Sequence, residues 1–196
     1  MSWFFSIFLV FSNFTVFAQE TYAKPDLETV PYVDLARYEG KWFEIARIPN
    51  RFQKKCLGNV AANYKILPEE KLEVLNSCLQ HDGETALTTG RAKIKDEKTN
   101  AKLKVSFVDI AGRYIYLFGG DYWVIDLDSN YQWAVIGTPN RKYGWILSRT
   151  ETLDITTLYS LSKSLKDKFY DLCDFTMTLQ GAKGGEKPAI VRLCDL

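Results

Sequence analysis

The sequence predicts an all-β fold: an eight-stranded antiparallel up-and-down β-barrel with one C-terminal α-helix packed on its outside. Three observations point there. From Gly40 to Thr150, short runs of β-branched and aromatic residues recur about every dozen positions between clusters of turn formers. Within one run, Leu103, Val105 and Phe107 alternate with Lys102, Lys104 and Ser106, the period of a strand with one face on a core and the other in water. Beyond Thr150 the period lengthens. Leu158, Leu161, Leu165, Phe169 and Leu172 are spaced 3, 4, 4 and 3, which describes one apolar stripe on a helix.

Residues 1–18 read as a signal peptide: Trp3 to Phe17 is mostly apolar, and Val16-Phe17-Ala18 ends it in a small-residue cleavage signature. The run is too short and too interrupted for a transmembrane anchor. Residues 19–39, with two prolines and mixed polarity, form a leader expected to lie over the domain rather than enter its core. Residues 40–180 are the barrel and its helix. The strands are expected over Trp42 to Ile48, Val60 to Leu67, Leu72 to Leu79, Ala86 to Lys95, Ala101 to Val108, Asp121 to Leu127, Gln132 to Gly137 and Tyr143 to Ser148. Turns such as Pro68-Glu69-Glu70-Lys71, His81-Asp82-Gly83, Asp128-Ser129-Asn130 and Pro139-Asn140-Arg141 separate them. Phe175 to Leu179 suits a ninth short strand, and residues 181–196 a tail, flexible from Gly181 to Pro188 and leading to Cys194.

The 25 lysines and arginines are balanced by 24 acidic residues, so no net field draws the molecule toward nucleic acid, and no nucleic-acid partner is expected. Cys56, Cys78, Cys173 and Cys194 form an even set in an exported chain, which favours two disulfides. With His81 the lone histidine and the cysteines far apart, no metal site and no cofactor are expected. A histidine-dependent triad likewise lacks its second component. No catalytic residue is assigned; the enzymatic alternative is an isomerase-like reaction at Cys56, which requires that thiol to be free. Glu44 alternates onto the Trp42 face, where it is either a buried carboxylate or, as is commoner, a member of a solvated network with Arg47 or Arg149.

A barrel of eight strands is either filled by side chains or able to hold one small ligand. Pattern parity places Ala46, Val60, Ala62, Val74, Asn76, Gly90, Ala92, Val105, Val124 and Val135 inward as small or medium residues. Tyr64, Phe107, Tyr122, Trp133 and Trp145 face inward as large ones, a mixture suited to a lined cavity. The ligand-binding candidates are Ala62, Tyr64, Val74, Asn76, Val105, Phe107, Tyr122, Val124, Trp133, Trp145 and Leu147, with Phe52 in the following loop placed to cover the mouth.

Gly40-Lys41-Trp42 at the first strand is a G-x-W motif, and the stretch from Tyr38 to Arg47 resembles that of lipocalins in the branch of bacterial outer-membrane lipocalins and apolipoprotein D. Tyr122 to Asp128 with Tyr131 resembles the second lipocalin motif, and Ser148-Arg149-Thr150, just before the helix, the third. The resemblance covers about residues 32–180, and Lys102 to Phe107 is also similar to the bacterial members. It implies that Gly40, Trp42 and Arg149 are structural, the arginine covering the tryptophan at the closed barrel end. It further implies carriage or storage of a small lipophilic ligand such as a fatty acid or lysophospholipid. The chain departs from the bacterial members in lacking a lipid-attachment cysteine, so a soluble secreted or periplasmic protein is expected, monomeric or homodimeric, with transient membrane contact or a protein-interaction role as further possibilities. Of three disulfide pairings, Cys56 with Cys78 suits the shared barrel rim and leaves Cys173 with Cys194, whereas many lipocalins tie an early cysteine to the C-terminal tail.

Overall fold

In the computed structural model, which describes residues 24–68, 71–186 and 189–196, the strands are β1 (Gly40–Arg47), β2 (Cys56–Leu67), β3 (Lys71–Gln80), β4 (Thr85–Ile94), β5 (Lys102–Ser106), β6 (Asp109–Ile110), β7 (Arg113–Tyr114), β8 (Gly120–Leu127), β9 (Trp133–Gly137), β10 (Gly144–Ser148) and β11 (Thr176–Met177). The expected signal peptide lies outside the described residues. The long strands pair in the order β10-β9-β8-β5-β4-β3-β2-β1, and β1 also pairs β10, closing an eight-stranded antiparallel barrel with no free edge. Two short helices' worth of sequence frame it, α1 (Leu35–Tyr38) before the barrel and the longer α2 (Ile155–Asp167) after it.

Apolar residues on both faces of the sheet make two cores. Inside, Trp42, Tyr64, Leu72, Val74, Ala92, Leu103, Val124, Ile136 and Leu147 pack together with Val33 and Tyr38. Outside, the α2 stripe of Leu158, Leu161 and Leu165 lies on Ile45, Ile125, Val135 and Ile146. Burying each such leucine is worth about 1.5–3 kcal/mol, more than the helix gains from propensity. Asp154 caps α2 by accepting from the Thr157 amide at 2.9 Å. The helix is shorter than its stripe: Phe169 takes a left-handed backbone (φ 63°) just past the end and is exposed, while Tyr170 turns in to be buried.

The connections β1–β2, β3–β4, β5–β8 and β9–β10 lie at one end of the barrel, and the N-terminal segment closes the other. The leader is not superficial. Val33 donates to Thr99 O at 2.7 Å, Asn100 Nδ2 donates back to Val33 O at 3.2 Å, and Val30 donates to Val124 O at 3.0 Å, so the segment from Val30 to Tyr38 stoppers the bore with buried Val33 and Tyr38. A barrel end left unstoppered would expose its apolar lining, and this segment supplies the missing apolar surface.

The C-terminal segment is likewise tied down. Beyond Phe43 and Ala61, β1 and β2 separate, and Asn59 adopts φ 51°. Into the gap come β11, paired to Ala46 and Arg47, then Thr178 donating to Ile45 O at 2.8 Å and Gln180 Nε2 donating to both Glu44 O and Val60 O at 2.8 and 3.0 Å. Residues 181–186 are therefore not a free tail: Ala182 is buried and exchanges two hydrogen bonds with the Asn59 amide side chain. The unpaired backbone of the splayed strands is what holds them there. Cys56–Cys78 joins β2 to β3 at the open rim, and Cys173–Cys194 joins the segment after α2 to the C-terminus.

Candidate functional site

The closed end is built around Trp42, fully buried, whose Nε1 donates to Tyr38 O at 2.8 Å. The Arg149 guanidinium lies 3.9 Å over its ring and donates to the carbonyls of Lys41, Arg37 and Glu39 at 2.8, 2.7 and 2.9 Å. Gly40 fits this arrangement because its φ is +96°, a left-handed backbone that side chains disfavour. One ion thus ties together α1, the start of β1 and the end of β10.

Above this plug lies a layer of three phenols. Tyr38 and Tyr64 each hydrogen-bond the Tyr122 hydroxyl, at 2.7 and 2.9 Å. Burial pushes the Tyr64 hydroxyl up to about 12 and raises those of Tyr38 and Tyr122 well above the usual phenol range, so all three are neutral at ordinary pH. Between the layer and the stopper, among Val33, Leu35, Leu72, Leu103 and Val124, remains a cavity of about 10 Å³, room for one water. The tyrosines are the floor of any usable space.

Toward the other end the bore opens. Register puts Ala62, Asn76 and Thr88 in one row across β2, β3 and β4, one inward step above the row of Tyr64, Val74 and Gly90. The lower row is buried, whereas Ala62 and Asn76 are half-buried and Thr88 is exposed although it faces inward. Solvent therefore reaches the row above the tyrosine layer, and within the layer only Tyr122 is half-buried rather than buried. The Phe107 ring lies within 2.6 Å of where a Gly90 Cβ would stand and is 43% exposed, an apolar wall of the opening rather than a core side chain.

A polar belt rings one side of this cup. Glu44 is buried and accepts from Arg47 Nη1 at 2.5 Å, Gln53 Nε2 at 2.6 Å and Thr178 Oγ1 at 2.6 Å. Gln53 in turn accepts from Trp145 Nε1 at 3.2 Å, locking the β1–β2 connection to the wall. The buried carboxylate is neutralised within the belt.

Of the residues singled out from sequence, Ala62, Tyr64, Val74, Val105, Tyr122, Val124, Trp145 and Leu147 converge on the interior, and Asn76 and Phe107 face the open half. Trp133 does not: it packs outside with Val135 under α2. Trp133 to Gly137 is apolar throughout, because β9 is covered on both faces, so no alternation distinguishes in from out. Ala46 also faces outward, since a bulge between Glu44 and Ala46 shifts the register of β1. Phe52 stands 63% exposed on the rim, 6.2 Å from the Tyr143 ring, and does not cover the mouth. The sequence reading missed Tyr38 and Thr88. Tyr38 belongs to the leader, where no strand period applies, and only the Tyr38-Glu39-Gly40 adjacency to the G-x-W motif signals it. Cys56 is disulfide-bonded, which removes the thiol that an isomerase-like reaction would need.

The lipocalin-like domain family matches residues 33–180. The chain belongs to the lipocalin family. Members of this family bind small hydrophobic ligands. Temperature-induced lipocalin-1 of Arabidopsis thaliana is 37% identical over 158 residues, covering 80% of this lipocalin and 84% of that protein. The outer membrane lipoprotein Blc of Escherichia coli K12 is 40% identical over 61% of this chain and 64% of its own, and apolipoprotein D of Macaca fascicularis 31% identical over 75% and 77%. Among solved structures, insecticyanin of the tobacco hornworm Manduca sexta superposes with a TM-score of 0.64 at 22% identity, covering 81% of this chain and 87% of that one, which shows the shared fold. Among the described residues no helix is long and apolar enough to cross a membrane.

Proposed function

We propose that this lipocalin carries or stores a small lipophilic ligand, a fatty acid, lysophospholipid or similar molecule, in the open half of the barrel and performs no chemistry on it. The observation that carries this reading is the exposure of inward-facing Thr88 and Phe107 above a buried floor: it leaves room for apolar groups next to Ala62, Val105 and Trp145. Each methylene moved from water into that lining contributes about 0.8 kcal/mol. A signal peptide over residues 1–18 would deliver the protein to a secreted or periplasmic location, where both disulfides persist.

Native mass spectrometry of the purified protein, followed by organic extraction and lipid identification, tests the proposal. Retained fatty acid or lysophospholipid supports it; an empty protein that also refuses added fatty acid overturns it. A specific observation favours transient membrane contact during loading: Ile110, Leu117 and Phe118 on the β5–β8 connection are 59, 84 and 71% exposed at the same end as the mouth. Co-sedimentation with phospholipid vesicles should fall when Leu117 and Phe118 are both changed to Ser.

A further inference from the structure

The tyrosine layer carries one more hydrogen than it uses. Tyr38, Tyr64 and Tyr122 bring three hydroxyl hydrogens, and two hydrogen bonds join them. If Tyr122 accepts from both neighbours, its own hydrogen has no acceptor; if it donates to one, that neighbour's hydrogen is left over. Among the described residues no other acceptor bonds these hydroxyls. Water can take that hydrogen while the cup is empty, but an apolar guest that displaces the water would leave a donor without an acceptor, which is costly, so the layer favours a guest that provides one.

The surroundings define that guest. The layer is reached through Tyr122, which is half-buried, beneath a row in which Ala62 and Asn76 are half-buried and Thr88 is exposed. It is also a dead end, because the space beneath admits no more than a water. Among the described residues, the nearby cations Arg149 and Arg47 are already engaged elsewhere. The Arg149 guanidinium lies on Trp42 and bonds backbone carbonyls, and Arg47 is engaged by Glu44 in the belt. A carboxylate pushed to the floor would be buried without a counter-ion.

We propose that the hydroxyl layer of Tyr38, Tyr64 and Tyr122 is a docking point for a neutral oxygen acceptor, a ketone, ester carbonyl or hydroxyl, at the buried end of the guest. This rests on the carrier reading and adds polarity to it: neutral oxygen at the floor, any anionic group outward at the mouth. The donor is shared among three residues, so no single phenol is indispensable.

The test uses the disulfide-intact protein with 2-decanone, carbonyl-labelled with ¹³C, against decane as its oxygen-free counterpart, binding being followed through the change in total tryptophan fluorescence. The wild type should take the ketone about tenfold more tightly, the worth of one good hydrogen bond, and the bound carbonyl stretch should lie at lower frequency than in hexane. Tyr38→Phe and Tyr64→Phe each still leave one hydrogen over and should keep both effects; the variant with all three tyrosines changed to Phe should lose both. Should that variant not fold, the wild-type infrared shift decides alone. Equal binding of ketone and decane with an unshifted carbonyl overturns the donor site and leaves the carrier reading standing, whereas refusal of ketone, decane and added fatty acid alike overturns both.

Discussion

The two halves of the barrel are made from the same strands and differ in what fills them. The closed half is a layered solid: stopper, Trp42 with its arginine, then the tyrosines, with space for one water. The open half keeps small or short inward residues, Ala62, Asn76 and Thr88, at the row where a solid core would put leucine or phenylalanine, and ties its rim with a disulfide and a buried carboxylate belt. The contrast teaches that stability and binding are assigned to different ends of one sheet. An open cup lacks the apolar contacts that fold a protein, so the closed half and the outer α2 core must supply them.

Substitutions can sharpen or break this division. The largest effect is expected at the plug: Trp42→Ala should lower unfolding free energy by about 3–5 kcal/mol, read as a large drop in the urea midpoint, or leave no folded protein to measure. Alkaline titration probes the tyrosine layer. A phenol whose value rises from 10 in the unfolded chain to about 12 in the fold, as for Tyr64, contributes fully below pH 10 and loses that contribution as pH climbs through 12. Stability should therefore be flat through neutral pH and fall between pH 10 and 12, by about 3 kcal/mol for this group, and the decline should shrink in Tyr64→Phe. Arg149→Ala removes the guanidinium that gathers three carbonyls and should cost about 2 kcal/mol, with Arg149→Lys recovering only part because it cannot fork. The smallest stability effect belongs to the cup: Ala62→Phe adds a ring at a half-buried position in the row of exposed Thr88 and should change unfolding by less than about 1 kcal/mol while weakening fatty-acid binding at least tenfold. A large destabilisation by Ala62→Phe would mean the open half is core after all.

Sequence made the closed end readable because its parts are distinctive: Gly40 and Trp42 open one strand, Arg149 ends another, and the structure stacks them at 3.9 Å. Strand β5 was readable for a different reason, since lysines on its outer face mark Leu103 and Val105 as inward. The same logic failed on β9, where α2 covers the outer face and Trp133 and Val135 belong to the second core. It failed again at Ala46, because a bulge leaves no trace in composition. The stopper and the C-terminal insert were invisible, as both depend on backbone groups left unpaired by neighbours distant in sequence, such as Ile45 with Thr178 and Val33 with Thr99. The tyrosine layer joins three segments, and only Tyr64 and Tyr122 carried a strand period to announce them.

The most direct test of a solid half beneath a binding half is backbone amide NMR of the ¹⁵N-labelled protein titrated with a long-chain fatty acid. The division predicts shift changes concentrated at Ala62, Asn76, Thr88, Phe107 and Trp145, stopping at the tyrosine layer, with Trp42, Ala101 and the α2 leucines unmoved. Changes centred instead on the outer face around Leu158 and Leu193, or none at saturating ligand, would contradict it.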